Sequence, residues 1–154
     1  MGRMIHRMKE KDLVAWRAFL EAHAFVMSKL ADELEAERGM PLGWYDVLVQ
    51  LSEAEGNKLR MTELADLVLL SKSGLTRLVD RMCTAGLVDR LPDADDRRGR
   101  WVEMTKLGRA RLVDAAPVHL RGVHQYFTGY LSDEEAAVVG VALRRIADAA
   151  RSGE

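Results

Sequence analysis

The 154-residue sequence contains a single cysteine, Cys83, and only three prolines. One cysteine cannot form an intrachain disulfide, which excludes a disulfide-stabilised scaffold and favours a reducing cytoplasm. No window approaches the roughly 18 uncharged apolar residues that a membrane-spanning helix needs, and the charged first residues do not resemble a signal peptide. Because 48% of the residues are hydrophobic and 31% are charged, the chain can bury a core. We expect a folded, cytoplasmic protein.

Catalytic and metal-binding motifs are also absent from the sequence. No serine, cysteine or histidine stands in a nucleophile motif, and no glycine-rich loop is present to bind phosphate. The four histidines, at positions 6, 23, 119 and 124, lack the spacing of zinc ligands. We therefore expect no enzymatic activity, no metal site and no cofactor.

Net charge is only −1, but it is unevenly distributed. The segment from Lys58 to Arg111 carries 12 Lys or Arg and 8 Asp or Glu, whereas the remaining residues carry 11 and 16. The middle of the chain is therefore basic and both ends are acidic. This asymmetry is expected if only the middle of the chain contacts a polyanion.

Apolar residues at spacings of three and four predict two helices in the first third of the chain. The first runs over residues 12–38 and ends at Gly39. The second follows Pro41 and ends near Gly56. The third helix is short, with Thr62 as its expected N-cap, and Ser71 is the expected N-cap of a fourth.

The fourth predicted helix, over residues 72–84, has two chemically different faces. A helical wheel places its larger apolar residues together, on a predicted core face: Leu75, Leu78, Val79 and Met82. The opposite side carries hydrogen-bonding residues, with two cations at its margins: Ser73, Thr76, Arg77, Asp80, Lys72 and Arg81. Such a face is either a solvated surface or a surface that binds a partner through hydrogen bonds.

Two strand-like segments, residues 87–91 and 100–104, follow Gly86 and predict a β-hairpin. Two further helices follow Thr105. The first contains Pro117, which should bend or break it. The last begins with a capping box formed by Ser132 and Glu135.

The hairpin encloses the segment PDADDRRGRW, residues 92–101. A calcium loop is excluded, because the fifth and sixth residues counted from Asp93 are Arg97 and Arg98 rather than an oxygen ligand and a glycine. A flexible linker is a second interpretation, but flanking strands would hold the loop in place. Arginine is the residue favoured in a narrow, negative minor groove, so the third interpretation is a cationic finger aimed at DNA.

A short helix, a turn, a helix with a polar face and a hairpin follow one another in the order of a winged helix-turn-helix. The second helix of such a pair fits the major groove of B-DNA, which is about 12 Å wide. The predicted fold is therefore mainly α with a small β-hairpin, in which a winged helix-turn-helix over 41–105 is flanked by helical regions over 1–40 and 106–154. We expect these flanking regions to form a dimer interface, because the apolar faces of the first and last helices exceed what one small winged helix can cover.

At this point the sequence resembles the MarR family of bacterial transcription regulators. The matching run extends from Leu64 to Arg109. Within it, residues of the wing and its exit fall at the family's spacing: Asp93, Asp96, Arg97, Arg98, Val102, Thr105 and Gly108. Leu69 departs from the general helix-turn-helix pattern, in which the turn often contains glycine.

The resemblance implies a homodimer that binds a pseudo-palindromic operator, with helix 72–84 in the major groove and wing 92–100 in the minor groove. The predicted DNA-binding residues are Ser71, Lys72, Ser73, Thr76, Arg77, Arg81, Arg97, Arg98 and Arg100. By resemblance, Asp93 and Asp96 brace the wing, Asp96 through an ion pair with a neighbouring arginine. The sequence leaves open which of the three wing arginines enters the groove.

Many members of this family release DNA when a small phenolic or other ligand binds. By resemblance, Trp16, His23 and Trp44 border a ligand cavity, although core packing also explains these aromatic residues. Two alternative functions stay open at this point: a redox-sensing regulator that uses Cys83, and a winged-helix protein-interaction module. We expect a repressor whose partners are double-stranded DNA, a second copy of the chain and a small effector.

Overall fold

Helices occupy most of the chain and leave room for one small sheet. The computed structural model describes residues 9–68 and 72–153, and for Lys72 and Ser73 it describes the backbone only. In chain order the elements are α1 (Glu10–Arg38), α2 (Leu42–Glu53), β1 (Lys58–Arg60), α3 (Met61–Leu67), α4 (Lys72–Thr84), β2 (Val88–Pro92), β3 (Arg100–Met104), α5 (Lys106–Tyr126) and α6 (Asp133–Ser152). Among the described residues, none of the helices has the length and apolarity needed to cross a bilayer.

The chain divides into two compact units. One comprises Ala31–Leu120, and the other comprises Met1–Leu30 with Arg121–Glu154. The predicted boundaries at residues 40 and 106 both fall inside the first of these units. The assignment of the remaining helices to dimerisation stays a prediction.

The core of the Ala31–Leu120 unit is built by α2, α4, α5 and the sheet. The predicted apolar face of α4 is buried, with Val79 and Met82 fully inaccessible. Opposite it, α2 buries Val47, Leu48 and Leu51, and both long strands contribute valines. Burial of one α4 face is worth about 1.5–3 kcal/mol for each large apolar side chain, so the opposite face is held outward.

The sheet has three antiparallel strands in the order β1-β3-β2. The predicted hairpin is confirmed as β2 and β3, which pair from Val88 with Met104 to Pro92 with Arg100. Strand β1 was not predicted, because three residues offer too little alternation to indicate a strand. It pairs Lys58 with Glu103 and Arg60 with Trp101.

Three predictions about helix ends and breaks need correction. Thr62 is not the N-cap of α3. The helix begins at Met61, and the Glu63 carboxylate accepts the backbone N–H of Arg60 at 2.8 Å. Helix α2 ends at Glu53, and a 3-10 turn at Glu55–Asn57 follows it.

Pro117 does not break α5, which is continuous from Lys106 to Tyr126. The carbonyl left without a donor by the proline belongs to Val113, whose side chain is exposed, so water can reach this part of the helix. Buried Leu112, Ala115 and Val118 hold the same helix against the core. The capping box predicted at Ser132 is confirmed, since the serine Oγ accepts the N–H of Glu135 at 3.2 Å.

Thr105 and Gly108 join the wing to α5. The Thr105 hydroxyl donates to the Gly86 carbonyl at 2.6 Å and accepts the Gly108 N–H at 3.0 Å. Gly108 lies so close to the preceding turn that a Cβ would come within 2.1 Å of the Leu87 carbonyl oxygen. The spacing of Thr105 and Gly108 therefore has two causes in this chain: the hydroxyl binds the Gly108 N–H, and the close approach to Leu87 excludes a side chain at position 108.

We expect Gly108→Ala to lower the free energy of unfolding by about 2 kcal/mol, because the methyl group must displace backbone. Urea denaturation followed by circular dichroism measures this. Gly140→Ala is the matched control, since a Cβ there meets nothing within 4 Å. Alanine is the better helix former, so the control should be neutral or stabilising by up to about 1 kcal/mol. Equal destabilisation of both variants would contradict this explanation.

Candidate nucleic-acid interface

The outer face of α4 carries the first group of predicted DNA-binding residues. Thr76, Arg77 and Arg81 are exposed, opposite the buried face of the same helix. The Arg77 and Arg81 side chains form no hydrogen bond or ion pair with the residues that the structure describes. Ser71 lies outside the described residues, and for Lys72 and Ser73 only the helical backbone is placed.

Arg90 on β2, the first strand of the wing, forms an ion pair and a hydrogen bond with α4. Its Nη1 lies 2.9 Å from the Asp80 carboxylate, and its Nη2 donates to the Thr76 carbonyl at 3.3 Å. Asp80, which sequence reasoning placed on the polar face, is therefore engaged by a neighbouring strand. The contribution of Arg90 was not predicted, because its distance from Asp80 along the sequence gives no sign of the pairing.

Asp93 organises the base of the wing. Among the charged residues that the structure describes, Asp93 alone is buried, with 7% of its surface exposed. Its Oδ2 lies 2.9 Å from Arg60 Nε. Its Oδ1 accepts the N–H of Asp95 at 3.0 Å. That hydrogen bond and the Arg60 guanidinium hold the pKa of the Asp93 carboxyl below its ordinary value, although burial opposes them. These contacts support the bracing role that the resemblance implies for Asp93, which stays a prediction.

Asp96 acts differently from the prediction. Within the described residues it forms no ion pair with a neighbouring arginine. Its Oδ1 instead accepts the backbone N–H of Arg98 at 2.9 Å, and its carbonyl accepts the N–H of Gly99 at 3.0 Å. A short aspartate side chain reaches the backbone two residues ahead and so closes the turn locally. The expected ion pair belongs to Asp93 and Arg60.

The three wing arginines do not have equivalent surroundings. Arg100 Nη1 donates to the carbonyls of Gly99, at 2.9 Å, and Arg97, at 3.3 Å, so this guanidinium folds back onto the loop. The Arg97 and Arg98 side chains are exposed and have no partner among the described residues. Two cations are thus available at the tip of the wing, and one contributes to its shape.

Strand β1 adds two cations that sequence reasoning missed. Lys58 Nζ lies 5.2 Å, and the Arg60 guanidinium carbon 5.0 Å, from the centre of the Trp101 ring. The alternation of side chains along a strand places residues 58 and 60 on one face. Only the pairing of β1 with β3 brings them to the tryptophan.

Comparison with known proteins identifies the family. A family model described as "MarR family" matches residues 38–99. AbsC, a MarR family transcriptional regulator from Streptomyces coelicolor, is 33% identical with a TM-score of 0.86, and the match covers 94% of this chain and 97% of AbsC. The chain belongs to the MarR family of transcriptional regulators.

Two further relatives match over a large part of the chain. Sco3205, a MarR family regulator from Streptomyces coelicolor solved in complex with DNA, is 31% identical with a TM-score of 0.86, over 92% of this chain and 89% of that one. The transcriptional repressor YetL from Bacillus subtilis is 32% identical over 109 residues, 71% of this chain. The match spans 65% of the length of YetL.

The residues predicted to border a ligand cavity in this MarR family chain lie in different units. Trp16 and His23 are exposed on α1, where Phe19 lies between them with ring centroids 6.0 and 6.1 Å away. Trp44 is half-buried on α2 and packs against the core of the other unit. Their joint role stays a prediction.

A different aromatic pair lies inside the Ala31–Leu120 unit and was not predicted. The rings of Tyr45 on α2 and His119 on α5 have centroids 4.4 Å apart. Burial raises the pKa of the Tyr45 hydroxyl. Burial also lowers the pKa of His119, and the nearby Asp46 carboxylate offsets part of that decrease. His119 Nδ1 is buried without a hydrogen-bond partner among the described residues. A neutral imidazole is therefore favoured at this position.

Metal binding has no candidate in the described part of the chain, where no group of three or more histidine, cysteine or acidic side chains is placed to hold an ion. In this MarR family protein the Asp93 carboxylate contacts Arg60 and the backbone N–H of Asp95, and the Asp96 carboxylate accepts the backbone N–H of Arg98.

The lowered pKa of His119 predicts a pH-dependent stability. The unfolded histidine binds a proton below about pH 6.5 while the half-buried His119 of the folded chain resists it, so the free energy of unfolding should fall as the pH drops through this value. The slope is at most about 1.4 kcal/mol per pH unit for one group. His119→Phe should flatten the curve between about pH 5 and 7 in urea titrations. An unchanged slope would show that other groups control it.

Proposed function

We propose that this MarR family chain acts as a homodimeric, sequence-specific transcriptional repressor that binds a pseudo-palindromic operator. The single observation that carries the proposal is the position of unpaired cations on two adjacent elements. Arg77 and Arg81 project from α4, and Arg97 and Arg98 project from the wing. No interaction with the described chain accounts for these four guanidinium groups, and phosphates and base edges are suitable partners for them.

In this proposal α4 enters the major groove. Arg77 and Thr76 present hydrogen-bonding groups to base edges, while Arg81 lies one turn further along and contacts the backbone. Arg97 and Arg98 reach the minor groove, and Arg100 braces the loop by binding its carbonyls. DNA binding by Sco3205 and the description of YetL as a repressor support the assignment.

Dimerisation is proposed from apolar residues that the chain itself leaves uncovered. On α6, Val138, Val141 and Ile146 are each more than 60% exposed. On α1, Trp16 and Phe19 are also exposed. A two-fold axis would cover such faces and set two α4 helices one DNA turn, roughly 34 Å, apart.

A small aromatic effector is proposed to release the DNA, with Trp16, His23 and Trp44 as candidate contacts. We propose that the protein acts in the cytoplasm, where its DNA target would lie, and no enzymatic role is proposed. The redox alternative has less support, because Cys83 is half-buried and burial raises the pKa of its thiol, which disfavours the reactive thiolate. A protein-interaction module would not require the exposed arginines on both α4 and the wing.

Arg77→Ala should weaken binding to a specific operator, selected from a random DNA library, by about 1–3 kcal/mol and blur one base preference. The loss follows from removal of a base contact while the α4 core face stays intact. Fluorescence anisotropy measures it. Arg151→Ala, at the exposed end of α6, is the control that removes one positive charge elsewhere and should bind as the wild type does. Unchanged affinity for Arg77→Ala would refute the assignment of α4.

Val141→Asp tests the dimer. Each protomer would place one unpaired carboxylate in the interface, and a single one costs about 3 kcal/mol, so the dimer dissociation constant should rise by at least about a hundredfold. Sedimentation velocity across a dilution series reports the change. Arg151→Ala again serves as the exposed control on the same helix. A Val141→Asp protein that sediments as the wild type does would place the interface elsewhere.

A further inference from the structure

One side chain connects the first helix of the helix-turn-helix, the sheet and the wing. Arg60 is the last residue of β1 and directly precedes α3. Its backbone N–H is bound by Glu63 of α3, and its guanidinium contacts Asp93 at the base of the wing and the Trp101 ring on β3. No other described residue combines these contacts.

Exposure differs sharply across the ion pair: 44% of the Arg60 side chain is accessible, against 3% for Asp93. A carboxylate removed from water is unfavourable unless a cation or hydrogen-bond donors compensate it. Arg60 is the cation that compensates Asp93, beside the N–H of Asp95 and the Trp101 side chain. Loss of Arg60 would therefore leave a buried, incompletely paired charge and favour movement of Asp93 toward solvent.

Movement of Asp93 would carry the wing with it. The Asp93 N–H donates to the Gly99 carbonyl at 3.3 Å, which closes the loop that carries Arg97 and Arg98. Gly99 packs against the aspartate so closely that a Cβ would lie 3.0 Å from Asp93 Cβ. The two ends of the loop are thus joined at Asp93, and the placement of the tip arginines depends on it.

We propose that Arg60 is a positioning residue for DNA binding: through Asp93 it holds the wing so that Arg97 and Arg98 reach the minor groove. The proposal rests on the DNA contact assigned to the wing under the proposed function. It differs from a direct contact between Arg60 and DNA, which the exposed part of the side chain would also permit. If Arg60 positions the wing, the loss of affinity caused by its substitution depends on the wing arginines. If Arg60 contacts DNA directly, that loss is independent of them.

A double-mutant cycle separates them. Wild type, Arg60→Gln, Arg98→Ala and the double variant are titrated with operator DNA at several salt concentrations, at a temperature where circular dichroism shows all four folded. Arg98→Ala alone removes one cation from each half of the dimer, so it should weaken binding about 60-fold near 0.1 M salt and reduce the slope of log affinity against log salt by about 1.8, as expected for two lost cation contacts to DNA. In the Arg60→Gln background, the same change should weaken binding less than about twofold, since the arginine is already misplaced.

Lys58→Gln is the matched control, because Lys58 lies on the same strand and over the same ring but forms no ion pair with Asp93. It removes the same charge, and its effect should combine additively with that of Arg98→Ala. Asp93→Asn breaks the same ion pair from the other side with little change of shape. It should reproduce the coupling to Arg98, and it replaces Arg60→Gln in the cycle if that variant does not fold.

The outcomes distinguish this proposal from the one it rests on. If Arg98→Ala leaves the affinity and salt slope of the wild-type background unchanged, the wing contact itself is wrong. If Arg98→Ala weakens the wild type but combines additively with Arg60→Gln and with Asp93→Asn, the wing contact stands and the positioning role of Arg60 is overturned. The positioning role of Arg60 is supported if Arg60→Gln and Asp93→Asn both show non-additive effects with Arg98→Ala while Lys58→Gln combines with it additively.

Discussion

Burial of one face of α4 is the constraint on which the rest of the molecule depends. Leu75, Leu78, Val79 and Met82 are packed against α2 and the sheet, so the helix cannot rotate without exposing apolar surface to water. The same packing determines that Thr76, Arg77 and Arg81 face outward. The chemistry of the outer face is therefore positioned by the hydrophobic effect on the inner one.

Polar contacts then fix the elements around α4. Arg90 holds the helix to β2, Thr105 joins the end of β3 to the turn after α4, and Arg60 holds the base of the wing. Each contact links segments that are separated in the sequence, and each uses a side chain that reaches a backbone carbonyl or a single carboxylate. The winged helix thus combines an apolar core with a few directional attachments at its edge.

The wing shows how a run of mixed charge can have several roles within ten residues. Asp93 is buried and paired, Asp96 closes a turn through the backbone, and Arg100 returns to the loop carbonyls. Arg97 and Arg98 keep their side chains in solvent. Because Arg100 is engaged by the loop carbonyls, Arg97 and Arg98 are the wing arginines left for an external partner.

The sequence by itself determined the order of the helices, the hairpin, the family and the faces of α4, because periodicity and spacing are local properties. It misplaced the start of α3, the end of α2 and a break at Pro117, because neighbouring segments decide where a helix ends. It did not determine β1, the partner of Asp93 or the pair formed by Tyr45 and His119. Those depend on which distant segments meet, and three residues of strand or one arginine among twelve basic residues between Lys58 and Arg111 give no local sign of it. Tertiary structure alone decided that Arg60 compensates the buried carboxylate, because only folding brings β1 beside β3 and the base of the wing.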